Sequence, residues 1–257
     1  MPQPRVLILR APGTNCDQET AHAFELAGGR PERHHVNRLL DEPKLLADFQ
    51  ILCLPGGFSY GDDIGAGRIL GSQIEHRLAE HFAQFKEAGK LILGICNGFQ
   101  ILMKSGILLP VADAGPPATL TWNDSGRFEA RWVELRTTGS HCVFFAGIDR
   151  IDLPIAHAEG KFVARDEPFL AGLEKAGQVT LRYQAAGGDA RGAYPANPNG
   201  SLSDVAGICD ATGRVAGLMP HPERFVDATQ HPQWTRREQR GAGDGLRVFE
   251  NAVRYFR

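Results

Sequence analysis

Three short apolar runs, each closed by a glycine or proline turn and followed by helical spacing, constrain this chain more than any other feature. "RVLILR" (residues 5–10) ends at Pro12 and Gly13, and "DQETAHAFELAGG" then carries apolar residues at helical intervals up to Gly28 and Gly29. "FQILCLPGG" (49–57) repeats the strand and turn. A helix is predicted from about Arg68 to Ala88, with Leu70, Ile74, Leu78, Phe82 and Phe85 along one face. "KLILGIC" (90–96) runs directly into "NGFQILMKSG". Strands alternating with helices imply an α/β fold with a mostly parallel central sheet and helices on both faces.

From about Pro110 the texture changes. "RWVELRTT", "HCVFFAG", "LPIAHAEGKFVA", "QVTLRY", "VAGICD" and "RVAGLMP" are strand-like runs separated by turn residues. They predict a smaller antiparallel or mixed sheet layered onto the first. Residues 185–201, crowded with Gly, Pro and Asn, predict a surface loop. Residues 228–243 read as a polar, basic surface excursion before a final amphipathic helix, "DGLRVFENAVRYF". No internal repeat or linker divides the chain, so residues 1–257 are expected to form a single domain.

The formal charge of -2, with Lys and Arg scattered, provides no electrostatic footprint for nucleic acid or a membrane surface. No apolar stretch reaches about 18 residues and no signal peptide is legible, so a cytoplasmic protein is expected. Cys16, Cys53, Cys96, Cys142 and Cys209 form no C-x-x-C pair, which argues against a disulfide framework or a metal site.

Ligands of open parallel sheets bind beyond the carboxyl ends of the strands. Cys96 stands at such an end, where a strand through Gly94 and Ile95 turns sharply into a helix begun by Asn97 and Gly98. Small residues two places either side let strand and helix pack closely around a nucleophile elbow. The helix N-terminus favours thiolate, and its N–H groups can hold an oxyanion. Asn97 would supply one donor and Gly57, in the glycine turn of the neighbouring strand, the second. Cys53 and Cys209 read as core; Cys16, in the turn "PGTNCD", is the rival thiol.

A nucleophilic thiol needs a base, and the base an orienter. "LMPHPER" (218–224) offers His221 and Glu223, stiffened by Pro220 and Pro222; the competing reading is a proline-rich turn with a surface ion pair to Arg224. His34, His35, His76 and His81 fall on predicted polar faces, and His231 lies in the excursion. His157, with Glu159 and Gly160, reads equally as pocket lining or as a structural turn.

Cys96, Gly98 and Gln100 in "GICNGFQ", with "PGG" before them and "MPHPER" after them, resemble the class I glutamine amidotransferases. "PGTNCD", "PGGFSYGDD", "PIAHAEGKF" and "NPNGSLSDVAGICD" are similar to the branch that serves as glutaminase subunit of phosphoribosylformylglycinamidine synthases. The resemblance implies a flavodoxin-like fold. It implies that Cys96 attacks glutamine, His221 relays protons and Glu223 orients it. Gly57 and Asn97 would form the oxyanion hole, and Gln100, Phe58, His157 and Glu159 the substrate pocket. It further implies no cofactor and no metal in this chain; ATP and Mg would be used by a partner synthetase subunit, beside a small accessory subunit. Consistently, no G-x-x-x-x-G-K-[ST] phosphate loop is present.

Two departures stand out. Ala158 occupies a position where many relatives have glycine, and the 228–243 excursion is longer than the short bacterial form. The alternatives are a glutaminase of another synthetase, a hydrolase of glutamyl peptides, or a cysteine redox sensor of similar fold, which would have no need of the H-x-E pair.

Overall fold

A computed structural model of the chain describes residues 3–111, 115–185, 193–238 and 240–257. In chain order the elements are β1 Arg5–Arg10, α1 Asp17–Leu26, β2 Arg30–His35, α2 Val36–Asp41, β3 Ile51–Leu54, α3 Arg68–Arg77, α4 Ala79–Glu87, β4 Leu91–Ile95 and α5 Asn97–Lys104. There follow β5 Ala118–Thr121, β6 Glu129–Thr137, β7 Arg150–His157, β8 Lys161–Ala164, α6 Glu167–Lys175, β9 Val179–Gln184, β10 Val205–Cys209, β11 Val215–Leu218 and α7 Leu246–Arg254.

Nine strands form one sheet in the order β2-β1-β3-β4-β11-β10-β9-β6-β7, and β5 and β8 form a separate antiparallel pair. The β2-β1-β3-β4-β11 portion is parallel. Its inner strands β3 and β4 are buried at every residue, as an apolar run covered on both faces must be. The chain steps one way from β1 to β2 and the other way from β3 through β4 to β11. Right-handed crossovers therefore place α1 on one face and α3 to α5 on the other. The packing agrees: Phe24 of α1 meets Phe249 of α7 edge-on at 4.9 Å between ring centroids, while α3 packs on α5. The reversal of direction between β1 and β3 opens a crevice at the carboxyl ends of these strands.

Several expectations are corrected. Of the strands after residue 110, β5 and β8 alone form the expected smaller antiparallel sheet; β11 joins the first sheet in parallel, and β10, β9, β6 and β7 extend it edge to edge by antiparallel pairing. The helix predicted over residues 68–88 breaks at Leu78 (φ -127°, ψ -1°), which stays buried while α4 turns away to pack on a 3-10 turn at Pro43–Asp48. "HCVFFAG" is a 3-10 turn at Val143–Phe145 rather than a strand, held where the Asn251 amide donates to the carbonyls of Phe144 and Ala146.

The polar segment "RPERHH" forms β2 at the sheet edge; it carries no apolar alternation that would mark it as a strand. Residues 186–192 of the expected surface loop lie outside the described residues, and its end is not surface, since Asn197, Asn199 and Ser201 are buried. The excursion is also anchored. His231 is buried against Trp132 (4.4 Å between centroids) and Phe225, and Arg237 pairs with Asp152 at 2.5 Å.

Candidate active site

Cys96 sits between β4 and α5 at φ 51°, ψ -107°, a conformation that costs an L-residue energy and persists only where the surroundings impose it. The surroundings are two glycines. A Cβ on Gly94 would lie 2.6 Å from the Gly98 carbonyl oxygen, and one on Gly98 would lie 1.8 Å from that of Leu54. Any side chain at either position would push α5 off the sheet. The Cys96 N–H donates to the Leu218 carbonyl (2.8 Å), so the elbow is tied directly to the strand that leads to His221.

His221 and Glu223 are both buried, and His221 Nδ1 lies 2.6 Å from Glu223 Oε1. A carboxylate can only accept, so Nδ1 carries the proton and Nε2 is left for the thiol side of the site. Burial alone would lower the imidazole pKa. The Glu223 carboxylate, then the Cys96 sulfur, outweigh it and hold the histidine well above its usual range. Arg224 forms the part-exposed ion pair of the competing reading, but with Glu19 (3.7 Å), and it also reaches Cys16 (3.0 Å), while Glu223 is buried against His221.

Gly57 adopts φ +145° in the turn after β3, and its N–H has no hydrogen bond among the described residues. The Asn97 N–H opens α5. The Asn97 side chain holds the glycine-rich segment over the site: Oδ1 accepts from Ser59 N (3.2 Å), and Nδ2 donates to Gln100 Oε1 (2.9 Å) and Asp62 Oδ1 (3.3 Å). Gln100 Nε2 donates in turn to the Glu159 carbonyl (2.5 Å), and the Glu159 carboxylate accepts from Ala66 N (3.3 Å). Gln100 and Glu159 thus join the elbow to the β7–β8 turn. Phe58 is half exposed at the edge, facing Phe128 at 6.4 Å.

The sequence matches the CobB/CobQ-like glutamine amidotransferase domain over residues 3–256. The chain belongs to this glutamine amidotransferase family. It is 51% identical to phosphoribosylformylglycinamidine synthase subunit PurQ of Dehalococcoides mccartyi, over 100% of this chain and 99% of that protein. It is 42% identical to the subunit of the same name from Methanococcus maripaludis, over 98% and 97% of the two chains. Among solved structures, a chain of PurLQS from Thermotoga maritima is similar at 33% identity and a TM-score of 0.76, each chain covered fully.

Two features of this amidotransferase escape sequence reasoning. Asn123 organises the β7–β8 turn: its Nδ2 donates to the His157 carbonyl (2.9 Å), and its Oδ1 accepts from Gly160 N (3.2 Å) and faces His157 Nδ1 (3.1 Å). The amide oxygen can only accept, so His157 carries its proton on Nδ1; burial, then the nearby His221, lowers its pKa to about 3. The run Asn123-Asp124-Ser125-Gly126 is a turn signal, the one local mark that could have pointed to Asn123. Ala158 does not take a positive φ, so alanine is accommodated there. The close approach falls on Gly160, where a Cβ would meet the His157 ring at 2.2 Å.

Cys16, His221 and Glu223 each offer a ligand atom, all within 4.8 Å of one another. The donor types suit a thiophilic cation. The arrangement does not, because the Arg224 guanidinium stands 3.0 Å from the sulfur and brings positive charge where an ion would bind.

Proposed function

We propose that this amidotransferase is the glutaminase subunit of phosphoribosylformylglycinamidine synthase and supplies ammonia for purine biosynthesis. Cys96 thiolate attacks the side-chain amide carbon of glutamine, forming a C–S bond and an oxyanion facing the N–H groups of Gly57 and Asn97. As the C–N bond breaks, His221 gives its proton to the leaving nitrogen, and ammonia departs from a thioester. His221 then takes a proton from water, which attacks the thioester carbon and releases glutamate and the thiolate. Glu223 orients the imidazole and supports its cationic form. Gln100, Glu159, His157 and Phe58 shape the pocket.

The observation that carries this reading is the buried Cys96, His221 and Glu223 set in a chain that shares its full length with PurQ proteins. We further propose that ammonia passes to a docked synthetase subunit, with a small accessory subunit in the complex, and that ATP and Mg act there. Among the described residues no helix is long and apolar enough to cross a membrane. The five free cysteines suit the reducing cytoplasm.

Glutamine labelled with 15N at its side-chain amide tests the proposal. With synthetase, ATP and formylglycinamide ribonucleotide, the label is expected in formylglycinamidine ribonucleotide. Hydrolysis of glutamyl peptides with no transfer of label would overturn it. The lone chain is expected to be a weak glutaminase, because the Gly57 peptide can flip and one misplaced oxyanion donor costs about 3 kcal/mol, roughly a hundredfold in rate. Docking should restore that factor.

A further inference from the structure

Cys16 is buried, and both its backbone and its thiol have polar partners in neighbouring turns. Its backbone N–H donates to the Gly56 carbonyl (3.2 Å), and its carbonyl accepts from Thr20 N (3.1 Å) and Thr20 Oγ1 (2.6 Å) in the first turn of α1. Its thiol donates to Asn15 Oδ1 (3.2 Å) and accepts from Arg224 (3.0 Å), while Arg224 also reaches Glu19. A Cβ on Gly56 would lie 3.1 Å from this sulfur and 2.8 Å from His221 Cε1, so sulfur, glycine and imidazole are packed together without room for another atom. Beside them, Glu223 Oε2 and His221 Nε2 are buried without a hydrogen-bond partner. The imidazole therefore has one short hydrogen bond, to Glu223 Oε1, and the Cys16 and Cys96 sulfurs and its packing neighbours set the rest of its orientation.

We propose that the Cys16 thiol and Arg224 form a latch that positions the imidazole of His221 and the Gly56–Gly57 turn relative to Cys96. One side of the latch is the hydrogen bond from the Cys16 N–H to the Gly56 carbonyl in the turn after β3. The other is the Arg224 guanidinium on the turn after β11, which carries His221. Cys16 is a positioning residue in this scheme and touches no substrate. Burial pushes its thiol pKa up, which keeps it a neutral hydrogen-bonding group rather than a second nucleophile. The inference rests on the proposed glutaminase reading for its substrate, but not for its geometry.

The test compares Cys16→Ser, Cys16→Ala, Arg224→Met and the Cys16→Ala, Arg224→Met double variant. Glutaminase kcat and KM of the full chain with its synthetase are measured, together with the rate at which iodoacetamide alkylates Cys96. Serine keeps both hydrogen bonds and should stay within about threefold of wild type. Cys16→Ala leaves the guanidinium with Glu19 alone and breaks its tie to the turn after β1; kcat and Cys96 alkylation should each fall about tenfold, with KM nearly unchanged. The double variant should be no slower than the worse single. Unchanged kcat and alkylation in Cys16→Ala, or single losses that multiply in the double variant, would overturn the latch. Slowed Cys96 alkylation in a chain whose wild type releases no glutamate would keep the latch and remove the glutaminase reading instead.

Discussion

The turn after β1 and the turn after β4 each place a buried cysteine at the N-terminus of a helix beside the same histidine, yet they are built differently. Cys16 is relaxed at φ -101°, ψ 14°, its thiol engaged by Asn15 and Arg224. Cys96 is held at φ 51° by glycines on either side; its thiol makes a long contact, 3.8 Å, to the Ala156 carbonyl and interacts with the His221 imidazole. Proximity to a base and a helix terminus is common to both. Backbone strain, and a sulfur that faces the histidine without a guanidinium on it, separate the candidate nucleophile from the candidate latch.

Substitution of the two sulfurs gives the widest expected separation. Cys96→Ser should lower glutamate release by about ten-thousandfold or more, whereas Cys16→Ser should leave it within several-fold. A glutamine-like chloroketone should label Cys96 well ahead of the other four cysteines. Label found by peptide mapping on Cys16 would reverse the assignment.

Next comes the histidine both turns share. His221→Ala should cost several orders of magnitude in kcat, since thiol activation and protonation of ammonia both use it, and Glu223→Gln roughly a hundredfold. Equal rates for wild type and His221→Ala would make the His–Glu pair structural.

The backbone contrast can be broken directly. Gly98 and the exposed Gln18 each stand two residues after their cysteine. Gly98→Ala drives a Cβ into the Leu54 carbonyl and should destabilise the fold by about 3 kcal/mol, while Gln18→Ala should stay within about 0.5 kcal/mol. Urea midpoints read both. Similar midpoints would mean that the elbow is not sterically enforced.

The smallest effect concerns the second imidazole. Folded His157 titrates at about 3, below the usual value of 6.5, so between these values the unfolded chain binds more protons. The stability contributed by neutral His157 is therefore complete above pH 6.5 and is lost as pH falls toward 3. At pH 5 the loss should be about 2 kcal/mol relative to pH 7.5. His157→Asn should flatten that slope, as read from urea unfolding at the two pH values; an unchanged slope would assign the acid sensitivity elsewhere.

The inner strands β1, β3 and β4 and the helices α1 and α5 that follow two of them could be read from sequence, because each strand is a short apolar run closed by a glycine or proline turn or by the elbow itself; β2 and α2 could not. The elbow was legible for the same reason: a glycine two residues either side of Cys96 is a local steric requirement, written next to the residue it serves. His221 and Glu223 were legible because two residues of spacing let them bond without help from the fold. Other elements carried no local mark. Nothing around Leu78 breaks a helix; the break answers to what α4 packs against. His231 looked like part of a polar excursion and is buried because Trp132 and Phe225 receive its ring.

Sequence by itself determined the α/β class, the elbow and the adjacent His–Glu pair, since these depend on periodicity and on contacts between neighbours in the chain. Tertiary structure alone decided that the later strands extend the first sheet, that Asn123 sets the protonated nitrogen of His157, and that Arg224 crosses to Cys16. Those contacts join residues 34 and 208 positions apart, and only the folding of separate turns onto one sheet end brings them within hydrogen-bond reach.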